Sequence, residues 1–184
     1  MRILTPIAAG FEEMEAVILV NMLRRCGAEV VTASVGVSRE LTGARGIPII
    51  ADALWQGLDP ATFDALAIPG GLANVNALRA DGRVAALAKD FHKRGKLVAA
   101  ICAAPLVLFD AGLLEGRAFT CHPSVAGLIT AGTRTASRVV EDRGIITGIG
   151  AGATFEFAHQ IAVKLFGEDV AQRVAAAACV VVSE

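Results

Sequence analysis

Net charge is almost absent from this sequence. Lys and Arg number 17 and Asp and Glu 18 in 184 residues, leaving a formal charge of −1. So even a balance supplies no basic face for nucleic acid and no cationic surface for an anionic membrane. Neither sequence-specific nucleic acid nor a membrane is therefore an expected partner. Long apolar runs are missing too. The longest, Leu97 to Phe109, is interrupted by Pro105 and falls short of the roughly 18 residues that a membrane span needs. The opening stretch Arg2 to Gly10 is short and runs into Glu12, Glu13 and Glu15, which predicts no secretory signal and a cytoplasmic protein. Paired cysteines are the third absence. Cys26, Cys102, Cys121 and Cys179 form no CxxC arrangement, so neither a disulfide framework nor a zinc site is expected, and no metal or other cofactor is implied. Linkers, repeats and low-complexity tracts are also lacking, and residues 1–184 read as one domain.

What is present is apolar. Hydrophobic residues make up 54% of the chain, with 19 glycines, a composition suited to a sheet buried on both faces. Strands and helices alternate. Arg2 to Ala8 reads as a strand, Met14 to Cys26 as a helix closed by Gly27, and Val30 to Val35 as a β-branched strand. Pro48 places the Ile47–Ile50 run at an edge. Phe63 to Ile68 is a strand halted by Pro69-Gly70-Gly71, Val84 to Arg94 a helix, and Leu97 to Ile101 a central strand followed directly by a helix from Ala103 to Ala111. Val139 to Ile149 reads as paired strands turning at Asp142-Arg143-Gly144, and Thr154 to Phe166 and Val170 to Ala178 as closing helices. Repeated βα units predict a doubly wound, mainly parallel α/β sheet sandwiched by helices. In such sheets ligands bind beyond the carboxyl ends of the strands, which directs attention to the residues that follow each strand.

Cys102 is the most informative of these. It stands between an apolar strand and Ala103-Ala104-Pro105, the arrangement of a nucleophile elbow, in which a sharp strand-to-helix turn lifts a side chain above the sheet. A helix N-terminus at that point favours a thiolate. Spacing alone leaves a second reading open, since cysteines are commonly small buried core residues. Gly70 and Gly71 end a neighbouring strand on the same side, either as a plain turn or as amide donors to an oxyanion. Glu15 opens the first helix, where it is either a solvated acid or an inward carboxyl with a raised pKa that can move a proton. His122, after a further short strand, is either an acid/base partner or a polar loop residue.

Together these segments resemble the ThiJ/PfpI superfamily, and within it the Parkinsonism-associated deglycase/chaperone branch. The resemblance covers almost the whole chain. It runs from Gly10-Phe11-Glu12-Glu13-Met14-Glu15 through Ala44-Arg45-Gly46 and Ile68-Pro69-Gly70-Gly71 to Val98-Ala99-Ala100-Ile101-Cys102-Ala103-Ala104-Pro105 and His122-Pro123. It implies a flavodoxin-like sandwich and a homodimer, with Arg25 and Arg45 near the dimer contact. It also implies Cys102 as nucleophile and oxidation-sensitive thiol, Glu15 as the protonated carboxyl beside it, and His122 as the histidine near the cysteine. The N–H groups of Gly71 and Ala103, with Gly70 alongside, would line the oxyanion pocket. One segment departs from the pattern: the late Ser-x-Gly-Pro-Gly of the family stands here as Thr147-Gly148-Ile149-Gly150-Ala151-Gly152. Cys121, beside His122, is a competing site of oxidation.

The leading functional expectation is a cofactor-independent glyoxalase III or deglycase-like activity, acting on methylglyoxal, glyoxal, or glycated protein or nucleotide. The alternative is a redox-sensing protective chaperone with an oxidisable cysteine. A cysteine peptidase is the weaker third reading. Fold likeness alone does not choose among them.

Overall fold

The computed structural model describes residues 1–181. Its first half contains β1 (Arg2–Ile7), α1 (Glu13–Arg25), β2 (Glu29–Ser34), β3 (Glu40–Thr42), β4 (Pro48–Ile50) and β5 (Ala53–Leu54). Next come β6 (Ala65–Ile68), α2 (Leu72–Asp81), α3 (Arg83–Lys93), β7 (Leu97–Ile101) and α4 (Pro105–Asp110). The remainder is β8 (Ala118–Phe119), β9 (Thr133–Arg134), β10 (Val139–Asp142), β11 (Ile145–Gly148), α5 (Thr154–Phe166) and α6 (Glu168–Ala177).

The main sheet has seven strands in the order β10-β11-β7-β6-β1-β2-β5. All pairs are parallel except β10 with β11. The strand sequences explain why both faces are covered. β7 reads Leu-Val-Ala-Ala-Ile and is buried throughout. Its alternate residues serve two cores: Val98 and Ala100 pack with residues of α2, α3 and α4, while Leu97, Ala99 and Ile101 pack with α1, α5 and α6. The small alanines at the centre let a helix approach from each side. This is the doubly wound, flavodoxin-like sandwich expected of the sequence.

Besides the short strands β5 and β9, which the sequence reading does not contain, two elements near the strand ends differ from the expectation. The helix after Cys102 starts at Pro105 rather than Ala103, because Cys102 to Ala104 form the turn itself. The helix α2 was not anticipated. Its segment, Leu-Ala-Asn-Val-Asn-Ala-Leu-Arg-Ala-Asp, spreads polar and apolar residues around the helix and buries only Asn74, Val75 and Leu78. The Ile47–Ile50 edge excursion is the strand β4, paired with β3 in a hairpin separate from the main sheet.

That hairpin is tied to α1 through Glu13. Its Oε1 accepts the backbone N–H of Arg45 at 2.6 Å and of Ile47 at 3.3 Å. These bonds, with the nearby Arg45 charge, hold the carboxyl below its ordinary pKa although burial opposes them more strongly than any single one. Among the described residues, no helix is long and apolar enough to cross a membrane.

Candidate active site

The carboxyl ends of β1, β6 and β7 bring the candidate residues together. At β7 the chain leaves the strand through Cys102, whose φ of 65° lies in the left-handed region that side chains rarely adopt. The turn is held from both ends. Cys102 donates its N–H to the Gly148 carbonyl at 2.9 Å, and its carbonyl accepts the His122 N–H at 2.8 Å. A half-buried thiol on a constrained elbow is the result.

Glu15 reaches the same place from α1. Glu12 caps that helix by accepting the Glu15 N–H at 2.8 Å, which turns the next residues into the first helical turn. Glu15 then points inward and has no solvent exposure. Its Oε2 accepts the Gly70 N–H at 2.7 Å. The carboxyl lies beside Cys102, close enough for each group to shift the other's pKa, and its buried Oε1 has no hydrogen-bond partner.

Gly70 lies between these two groups. A Cβ there would fall 2.6 Å from Glu15 Oε2 and 2.7 Å from the Cβ of Cys102, so only glycine fits. Gly71 has a φ of 86°, and a Cβ on it would lie 2.3 Å from the Gly10 carbonyl oxygen. The amides of Gly71 and Ala103 lie on the side of the Cys102 thiol and pull its pKa down.

Burial pushes the Glu15 carboxyl up to about 7, with the Cys102 thiol and the Gly70 amide pulling it back. Burial first, then the Glu15 charge and hydrogen bond, push the Cys102 thiol up to about 12 against the pull of Ala103 and Gly71. The turn amides pull the thiol pKa down, the direction expected at a helix N-terminus, while desolvation and the neighbouring carboxylate push it up more strongly. The physical unit is the pair. Two adjacent negative charges are strongly disfavoured, so Glu15 and Cys102 together hold two protons below about 7 and share one above it. When that proton rests on Glu15, the sulfur is a thiolate favoured by two N–H groups.

His122 is near by chain but engaged elsewhere. Its backbone is bonded to Cys102, yet its exposed ring bonds Ser124 Oγ through Nδ1 at 2.7 Å. The variant segment, which begins within β11, touches the site twice: through the Gly148 carbonyl on Cys102, and at Gly150, where a Cβ would lie 3.4 Å from His122 Cδ2. Cys121 is fully buried, and burial raises its thiol pKa despite the neighbouring Arg134. Among the described residues, no group of three or more His, Cys, Asp or Glu is placed to hold a metal ion.

One residue around the site was not read from the sequence. Asn74 is buried completely on α2 and bonds the backbone of Ala8, Pro69 and Gly70. Its signal was an amide side chain three positions after Gly71, in a segment closed by a left-handed Gly82.

A parallel sandwich with a cysteine on its central elbow and a buried carboxyl beside it defines a class of thiol-centred α/β proteins. The chain belongs to the DJ-1/PfpI family, whose model matches residues 1–164. It is similar to Protein DJ-1 homolog B of Arabidopsis thaliana, 35% identical over 91% of this chain, which spans only 39% of that relative's length. It is 35% identical to the Parkinson disease protein 7 homolog of Danio rerio, over 95% of both chains. A Pyrococcus abyssi protein named as a deglycase is 36% identical over 68% of this chain and 74% of its own length. Among solved structures, oxidized Toxoplasma gondii DJ-1 superposes with a TM-score of 0.93 at 35% identity, covering 98% of this chain and 99% of its own.

Proposed function

We propose that this chain is a cofactor-independent glyoxalase III or deglycase-like enzyme that acts on methylglyoxal, glyoxal or early glycation adducts of proteins and nucleotides. The observation that carries the reading is the Glu15 carboxyl: unexposed, bonded to Gly70 and beside the Cys102 thiol. A carboxyl poised near 7 beside a nucleophile can give and take a proton in one cycle. The name of the Pyrococcus relative agrees in class.

Cys102 passes its proton to Glu15 and adds as a thiolate to the aldehyde carbon, forming a C–S bond. The carbonyl electron pair moves to oxygen, where the amides of Gly71 and Ala103 receive the charge and Glu15 returns the proton. Glu15, then ionised, removes the proton from the carbon bearing sulfur to give an enediol; a proton is delivered to the neighbouring carbon, whose oxygen keeps its hydroxyl proton, and the oxygen beside sulfur loses its own to become the carbonyl of a thioester. His122 is the candidate for a second proton carrier once its ring leaves Ser124. Water cleaves the resulting thioester, releasing lactate from methylglyoxal or glycolate from glyoxal and restoring the thiol. A reducing cytoplasm suits this chemistry, since it keeps Cys102 a thiol.

The assembly we assign to the active protein is a homodimer. Val17 and Ile50 are 53% and 67% exposed and line one groove with Arg25 between α1 and β4. Asn21, Arg24, Thr32 and Asp52 share the groove, and exposed apolar side chains rimmed by polar ones in this way favour association.

The test is lactate formation from methylglyoxal without glutathione. Wild type is expected to produce it and Cys102→Ala to produce none; equal rates would remove the mechanism. A second reading, a redox-responsive protective protein, is favoured by the half-buried Cys102 beside a carboxyl able to donate to a sulfinate, and by the oxidised state of the Toxoplasma structure. Intact-mass analysis after mild peroxide is expected to place oxygen on Cys102 ahead of Cys26, Cys121 and Cys179.

A further inference from the structure

We propose that Asn74 is a positioning residue of this site: by donating from one amide nitrogen to the carbonyls of Pro69 and Gly70, it aims the N–H groups of Gly70 and Gly71 at Glu15 and at the Cys102 sulfur. The proposal rests on the reading of Cys102 as the reactive thiol.

The geometry follows from the peptide bond. Pro69 C=O and Gly70 N–H belong to one planar trans unit and point in opposite directions; Gly70 C=O and Gly71 N–H belong to the next. Asn74 Nδ2 bonds the Pro69 oxygen at 3.1 Å and the Gly70 oxygen at 3.0 Å. The opposite ends of these units are the working ends. Gly70 N–H donates to Glu15 Oε2 at 2.7 Å, and Gly71 N–H favours the ionised Cys102 thiol. One side chain thus fixes the tilt of both peptides that face the reactive pair.

The direction of the Asn74 amide is determined by its third bond. Oδ1 accepts the Ala8 N–H at 2.7 Å, so the nitrogen must face the two carbonyls. All three bonds are buried, and Asn74 itself has no exposure. A buried amide in a helix otherwise packed through Val75 and Leu78 is costly unless every bond is made. Gly70 O also accepts the Glu12 N–H at 3.2 Å, so the turn is held from the α1 side as well. A donor on a carbonyl polarises its peptide and strengthens the N–H at the other end. Asn74 therefore orients the two donors and makes them better donors to negative charge.

The test is the pH profile of Cys102 alkylation by iodoacetamide, with the labelled residue identified by mass spectrometry. Asn74→Asp keeps an acceptor for Ala8 and replaces the donor with a negative group. Asn74→Ser, too short to reach both carbonyls, reads the same quantity if the charged variant does not fold. In either, the apparent pKa is expected to rise by about one unit, slowing labelling about tenfold below it. Leu78→Ala, a core truncation in the same helix, is expected to destabilise the fold yet keep the wild-type profile. A variant profile that overlays wild type, or an equal shift in Leu78→Ala, would overturn the proposal. Labelling uses no dicarbonyl, so a failed lactate assay leaves this result independent.

Discussion

Gly70 donates its backbone N–H to Oε2 of Glu15 over 2.7 Å, while its missing side chain leaves the space in which Glu15 and Cys102 meet. The contact links β6 to α1 and sets the distance between acid and thiol. Gly70→Ala would drive a methyl group to 2.6 Å from the carboxyl and 2.7 Å from Cys102 Cβ. Overpacking of this kind costs about 1–3 kcal/mol. Thermal unfolding is expected to show that loss, and lactate output is expected to fall more than tenfold in the protein that remains folded. A Gly70→Ala enzyme with wild-type output would show that the spacing is not required.

The Glu15 pKa makes stability depend on pH. Burial raises it from 4.5 to about 7, so the folded state holds a proton that the unfolded chain has released. The stabilisation from this group is complete below about 4.5 and is lost as pH rises through about 7. Its size is at most about 3 kcal/mol. Urea titrations from pH 4.5 to 8 should show wild type losing stability relative to Glu15→Gln, whose amide does not titrate. Parallel curves would mean that Glu15 titrates as an ordinary acid.

The groove between α1 and β4 offers a test of assembly. Val17→Glu and Ile50→Glu each place a charge on a side chain that is already 53% or 67% exposed in the isolated chain, so the fold of one copy should tolerate them. Light scattering is expected to give twice the chain mass for wild type and a single chain mass for either variant. A monomeric wild type would refute the dimer.

His122 is expected to matter less than its place in the chain suggests. Its backbone bond to Cys102 survives substitution, and its ring is bonded to Ser124. His122→Ala should therefore lower kcat by less than Glu15→Ala does. The reverse order would make His122 the principal proton carrier.

Much of this arrangement was legible in the sequence, for physical reasons that differ by residue. β1, β2, β6 and β7 are short apolar runs ended by glycine, proline or the elbow, so their positions and the strand ends that carry Glu15, Gly70 and Cys102 could be read directly. α2 could not, because tertiary contacts rather than an apolar stripe hold it, and Asn74 went unread with it. The state of the thiol was legible only in part. A turn amide is visible in the spacing, but the desolvation of Cys102 and the charge of Glu15 depend on packing between β6, β7 and α1.

The central claim is that Cys102 and Glu15 share one proton, and it is tested most directly by the pH dependence of Cys102 alkylation in wild type and Glu15→Gln. The account predicts an inflection near 7 in wild type, where the pair loses its first proton. In Glu15→Gln that inflection should vanish, and the thiol, freed of the charge that raises it, should titrate alone in a single step below the value of about 12 that it has beside ionised Glu15. An unchanged profile in Glu15→Gln would contradict the shared proton.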